Sequence, residues 1–140
     1  MKTNKYTFEE LKIGMLENFE VDLTSDMIAE FSKLTGDLHP LHTDANYARE
    51  SGFDSVLAHG MLTSAFSSTL VGMLLPGRNA LLLSQSFRYL RPVYGGERLT
   101  ITGEIVSKDK ADRKIALDVR IRNREDKIVA IGEVAVKLRA

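Results

Sequence analysis

A change of period most constrains what this chain can fold into. From Leu57 to Leu75 the sequence reads LAHGMLTSAFSSTLVGMLL. Met61, Leu62, Ala65, Phe66, Leu70, Val71, Met73 and Leu74 fall on nearly all sides of one helix. A helix that is apolar all round is enclosed by its neighbours. Beyond residue 80 the period changes to two. Leu99, Ile101, Gly103 and Ile105 alternate with Thr100, Thr102 and Glu104, and Ile115, Leu117, Val119 and Ile121 alternate with Ala116, Asp118 and Arg120. Ile128, Ala130, Val134 and Val136 share one face of a last strand. Alternation of this kind marks half-buried strands. The joints KDKAD (108–112) and NREDK (123–127) are short enough for hairpins. The pattern predicts an α+β fold in which an antiparallel meander curves around a buried helix. A length of 140 residues suits one domain, 1–140, with one core.

The N-terminal part is read element by element. Residues 18–22 form a short strand. Thr24 or Ser25 caps the next helix, where free amides need acceptors. Met27, Ile28, Phe31 and Leu34 make its apolar stripe, and Gly36 ends it. The loop GDLHPLHTD follows at once, and Pro40 disfavours helix at His39. Asp44 caps a short helix, ANYARES, that stops at Gly52.

Composition narrows the function. Acids and bases balance at 19 each, which argues against a nucleic-acid partner. Residues 1–84 hold 6 bases against 11 acids, and residues 85–140 hold 13 against 8. The basic second half suits either an anionic ligand or strands with solvated Arg/Lys faces. Without cysteine there is no disulfide, thiolate metal site or cysteine nucleophile, which fits a cytoplasmic setting. The first residues, MKTNKYTFEELKIG, lack an apolar leader core. Residues 57–75 are too interrupted by His59, Gly60 and hydroxyl residues for a membrane span.

The loop carries the chemistry. Asp37 and His42 are five residues apart on a segment bent by Pro40, so both can reach one point. A carboxylate and an imidazole around one water make an acid–base pair, and only histidine has an ordinary pKa near neutrality. Such a pair suits adding water to a double bond or removing it. Gly60 stands at the start of the buried helix, where free amides and partial positive charge polarise a carbonyl. Glycine also permits close approach of a ligand to the backbone. Singly, each residue has an ordinary structural use; their joint occurrence points to a site. The same stretch leaves a metal open, since His39, His42, Asp44 and His59 offer nitrogen and oxygen ligands.

The pattern G-D-x-x-P-L-H-x-D at 36–44, followed by A-H-G-M at 58–61, resembles the MaoC-like (R)-specific enoyl-CoA hydratases, proteins of hot-dog fold. The resemblance runs from about Met15 to the C-terminus and includes LPG at 75–77, SQSFRYLRPV at 84–93 and VKL at 136–138. It implies a sheet wrapped around the 60–74 helix, with residues 36–58 overhanging a substrate tunnel. It implies reversible hydration of a trans-2-enoyl-CoA to the (R)-3-hydroxyacyl-CoA. No metal or separate cofactor is expected, because coenzyme A is part of the substrate. Asp37 and His42 match the family's catalytic pair, Gly60 the glycine whose amide holds the thioester oxygen, and Ser68 a serine on the central helix. A homodimer or higher homo-oligomer is implied.

Two positions depart from the pattern: His39 stands where the family has Asn, and Gly96-Glu97 where Gly-Asp is common. The expected substrate-binding residues are His39, Ser68, Phe53, Leu57, Met61 and Arg88, the last, with Arg91, as a partner for phosphates. Thioester hydrolysis and a non-catalytic acyl-CoA-binding module are the competing functions, since fold alone does not fix activity.

Overall fold

The computed structural model describes residues 1–140. The strands are β1 (Leu16–Leu23), β2 (Ala80–Tyr89), β3 (Glu97–Asp109), β4 (Lys114–Arg122) and β5 (Ile128–Leu138). The helices are α1 (Ser25–Thr35), α2 (Pro40–Thr43), α3 (Ala45–Glu50) and α4 (Gly60–Thr69), which runs on into a π-helical turn, Leu70–Leu74. One five-stranded antiparallel sheet carries the order β1-β3-β4-β5-β2. The period-two residues do form the core: Leu99, Ile101, Ile105, Leu117, Val119 and Ile121 are fully buried. The expected α+β hot-dog arrangement of sheet and central helix is the one observed. No helix is long and apolar enough to cross a membrane.

The topology is less simple than a meander. Only β3, β4 and β5 follow one another as hairpins; β2 pairs with β5 and stands at the far edge. Pairing β2 with β3 directly would need a tight turn at 90–96, but LRPVYGG crosses instead to the start of α4. There the Ala58 amide donates to Val93 O at 2.7 Å, and Leu57 bridges Tyr94. This crossing brings Arg91 and Val93 beside the helix N-terminus.

The central helix also differs from expectation. It is not enclosed on all sides, since Met61, Ala65, Ser68 and Gly72 form an exposed stripe at helical spacing, with Met61 73% exposed. Its inner face mixes Leu62 and Leu70 with buried Thr63, Ser64 and Ser67. Ser64 bonds within its helix to Met61 O, as such serines usually do, but it also meets the Tyr89 hydroxyl at 2.8 Å. Ser67 donates across to the Gln85 side chain at 2.7 Å. In α1, Thr24 is the cap and Gly36 (φ 80°) the stop, as read from sequence. Leu34, however, is exposed, and Ser32 takes an interior place instead.

At Leu70 the helix meets the sheet through a glycine. A Cβ on Gly103 would lie 2.5 Å from Leu70 Cδ2, and Leu70 is fully buried with nowhere to retreat. Gly103→Ala is expected to cost about 1–3 kcal/mol by overpacking. Urea unfolding followed by circular dichroism checks this, and an unchanged midpoint would show that the contact is slack.

Candidate active site

The loop 36–44 is built by its own side chains. Asp37 accepts the His39 amide on Oδ1 at 3.2 Å, a local turn that leaves Oδ2 free. His39 is the N-cap of α2, its Nδ1 accepting the Leu41 amide at 3.2 Å. Pro40, expected to hold the loop open, takes the first position of that short helix, where its missing N–H costs nothing. The turn aims His42 inward. His42 Nδ1 lies 2.7 Å from Leu57 O. A carbonyl can only accept, so Nδ1 carries the hydrogen and Nε2 presents a lone pair. That lone pair faces Asp37 Oδ2 at 4.0 Å. A water at about 2.8 Å from each atom fits such a gap.

Beside His42 opens a cleft of about 380 Å³. Gly60 lies in it at the first turn of α4, where backbone amides lack intrahelical acceptors. Apolar walls come from Phe53, Leu57, Ala58, Leu90, Pro92, Val93 and Val129. Tyr89 covers Gly60 closely: a Cβ on that glycine would lie 3.1 Å from the Tyr89 ring. Arg91 is the one lysine or arginine among the lining groups. Asp37 does not line this cleft itself; its side chain is half exposed and faces His42.

The structure therefore brings together Asp37, His42, Gly60, Phe53 and Leu57. It does not bring the other expected binding residues to the cleft. Met61 and Ser68 lie on the exposed stripe of α4, because a helix turning about 100° per residue carries them away from Gly60. Arg88 points from the opposite face of β2 into a second groove, of about 490 Å³, with Asp118, Arg120 and Glu133. Strand alternation explains this: Phe87 and Tyr89 face the helix, so Arg88 faces away. His39 stands 6.0 Å from His42, ring centre to ring centre, and its visible task is capping. The metal set drawn from the sequence is not assembled either. Asp44 caps α3 by accepting from Asn46 and Tyr47 amides, and His39 caps α2. Donor atoms of Asp37, His42 and His59 do lie within 4.8 Å of one another. The two imidazoles are stacked at 25°, and each has one nitrogen engaged, with Leu57 O or with Ser32 Oγ.

A family model described as "MaoC like domain" matches residues 10–127. The chain belongs to the MaoC-like family. Among curated relatives, the (R)-specific enoyl-CoA hydratase of Aeromonas caviae is 31% identical over 131 residues, covering 93% of this chain and 97% of that protein. The 3-hydroxybutyryl-CoA dehydratase of Methylorubrum extorquens is 29% identical, covering 94% of this chain and 83% of its own. Among solved structures, an unliganded R-hydratase from Pseudomonas aeruginosa superposes with a TM-score of 0.91 at 29% identity, over 97% of this chain and 87% of that one. The MaoC-like fold is thus matched along almost the whole chain.

Sequence reasoning gave His59 only as a metal candidate and overlooked Tyr89 and Ser32. The phrase AHG signals His59, since it directly precedes the helix start, whereas nothing in the sequence marks Ser32. His59 is 3% exposed, and burial, seconded by neighbouring His42, pulls its pKa below the ordinary 6.5 despite the opposing effect of Asp37. The folded state then resists a proton that the unfolded chain accepts, so stability falls as pH drops through 6.5 and stops falling below the folded pKa. Comparing urea midpoints at about pH 8 and about pH 5 is expected to show a smaller acid-induced loss in His59→Phe than in the parent. Equal losses would mean that His59 is not held neutral.

Proposed function

We propose that this protein adds water reversibly to a trans-2-enoyl-CoA, giving the (R)-3-hydroxyacyl-CoA. That it is an enzyme rests on its hydratase and dehydratase relatives along nearly the full chain. The observation that carries the specific reading is the free His42 Nε2 facing Asp37 Oδ2 across 4.0 Å, next to Gly60 at a helix N-terminus. In this reading a water sits between the two. Its oxygen bonds to C3 of the enoyl group while one of its hydrogens passes to His42 Nε2. Asp37 holds the other hydrogen, which stays on the new hydroxyl. The electron pair of the double bond moves toward the thioester, whose oxygen takes up negative charge at the Gly60 amide. Each donor of this kind typically contributes about 2.7–4 kcal/mol. His42 then returns its proton to C2, so the hydrogen and the hydroxyl of the water add from one face. No metal or further cofactor enters.

Arg91, with its guanidinium donating to Ile128 O at 2.5 Å, stands in the cleft wall where a nucleotide phosphate could be met. It replaces Arg88 in that role.

The test is loss of enoyl absorbance when protein is added to crotonyl-CoA, with product chirality measured. Asp37→Asn and His42→Gln are each expected to lower kcat by about 10²–10⁴-fold while leaving the unfolding curve close to the parent's. Wild-type rates in either variant would remove the assigned roles. Release of free thiol, detected with a thiol-reactive dye, would indicate thioester hydrolysis instead.

The assembly proposed with this activity is a homodimer. β2 is an edge strand whose Leu81, Leu82 and Leu83 are 40–49% exposed, an unprotected edge of the sort that pairs with another copy. Sedimentation at micromolar concentration is expected to give twice the chain mass of 15.6 kDa. Leu81→Asp combined with Leu83→Asp is expected to shift it to the single-chain mass, and a monomer in the parent would refute the assignment.

A further inference from the structure

One side chain outside the acid–base pair touches both of its members. His59 stacks on His42, ring centres 3.9 Å apart and planes 25° from parallel. Its Nε2 lies 2.9 Å from Ser32 Oγ and 3.4 Å from the Asp37 carbonyl oxygen. The Phe31 ring packs against it at 4.7 Å, and in the chain it immediately precedes Gly60. Its Nδ1 is buried and meets no protein donor or acceptor. A buried nitrogen without a protein partner carries a desolvation cost that leucine or phenylalanine would avoid at this place. An imidazole here therefore does something that filling space does not.

We propose that His59 is a positioning residue for the acid–base pair: its ring is the platform on which the His42 imidazole lies, and its Nε2 ties the Asp37 backbone and α1 to that platform. The proposal rests on the roles given above to Asp37 and His42. The hydrogen bond from His42 Nδ1 to Leu57 O fixes one point of the His42 ring but leaves it free to swing about that bond. A flat ring at stacking distance removes the swing, so Nε2 stays aimed at Asp37 Oδ2. The same residue sets the backbone at Asp37, so one ring governs both sides of the 4.0 Å gap. The titratable groups facing this ring are His42 and Asp37, with His39 behind His42, while α1 presents only Ser32 and Phe31. No lysine or arginine faces it.

The test uses His59→Leu, His59→Phe and Ser32→Ala in the full-length chain. Two readouts are taken: steady-state kinetics on crotonyl-CoA, and ¹⁵N spectra of the His42 imidazole, which report its tautomer. The parent is expected to show His42 as the Nδ1–H tautomer alone. His59→Leu is expected to lower kcat about 10²-fold with KM changed little, and to give a mixed-tautomer His42 signal. His59→Phe keeps a ring beneath His42 and is expected to restore the single tautomer, with kcat between the other two. Ser32→Ala loosens the tie alone and is expected to lower kcat about 2- to 10-fold. If His59→Leu does not fold, His59→Phe and Ser32→Ala carry the test. Parent-like kcat in Ser32→Ala together with parent-like kcat in His59→Phe overturns it, as does an unchanged His42 spectrum in folded His59→Leu. Should the parent itself leave enoyl-CoA untouched, the hydratase reading fails, and the His42 spectra still decide whether His59 sets that ring.

Discussion

The site depends on two peptide groups, those of Leu57 and Ala58. The Leu57 amide donates to Leu41 O at 2.8 Å, and its carbonyl accepts from His42 Nδ1 at 2.7 Å. The Ala58 amide donates to Val93 O at 2.7 Å. Three separate stretches are thereby fastened to one extended dipeptide: the helical turn carrying His42, the strand crossing that carries Arg91, and the start of α4 with Gly60. A site assembled from loops needs such an anchor, because loop backbone left to itself is mobile on the scale that acid–base geometry tolerates. Residues 57 and 58 contribute only backbone groups to these bonds, so the anchor does not depend on which side chains stand there.

This explains the legibility of the fold. The strands were readable because burial on one face imposes period two, and Leu99, Ile101, Leu117 and Val119 obey it strictly. Caps were readable for the same local reason: Thr24, Asp44 and Gly36 satisfy helix ends by short-range bonds. Strand order was not, since β2 and β3 are adjacent in sequence yet lie on opposite sides of the β4–β5 pair. That choice is made by the crossing at 90–96 against Ala58, a long-range bond with no local signature. The helix misled in a different way. Its apolar residues on every side suggested enclosure, but the Met61–Ala65–Ser68–Gly72 stripe is open in the single chain. Apolarity along that stripe reports a surface that needs cover without saying what provides it.

Within the site, the residues that a sequence reveals are those whose types are chemically unusual for their place. Asp37, His42 and Gly60 stood out because a carboxylate, an imidazole and a glycine crowd around two helix starts. Tyr89 and Ser32 are ordinary strand and helix residues. Only packing brings Tyr89 over Gly60 and Ser32 under His59. His39 illustrates the converse. It is conspicuous in the sequence, yet its Nδ1 does the capping that an Asn side chain performs. A change of residue type that preserves an acceptor at the same point leaves the turn, and so the aim of His42, intact.

The charge asymmetry between the halves resolves along the same line. The basic second half is mostly strand, and alternation sends strand charges to the outer face, where Arg88, Arg120, Asp118 and Glu133 line one groove. Balanced charges there do not make an anion site. Arg91 escapes this rule because it lies just past the end of β2, in the crossing segment rather than in the sheet. Freed from alternation, it turns to Ile128 O and the cleft. A single cation at the wall of an otherwise apolar cleft is felt more strongly by an incoming phosphate than several cations neutralised by neighbouring carboxylates. The crossing segment that gives the sheet its unexpected order therefore also places Arg91 in the wall of the cleft.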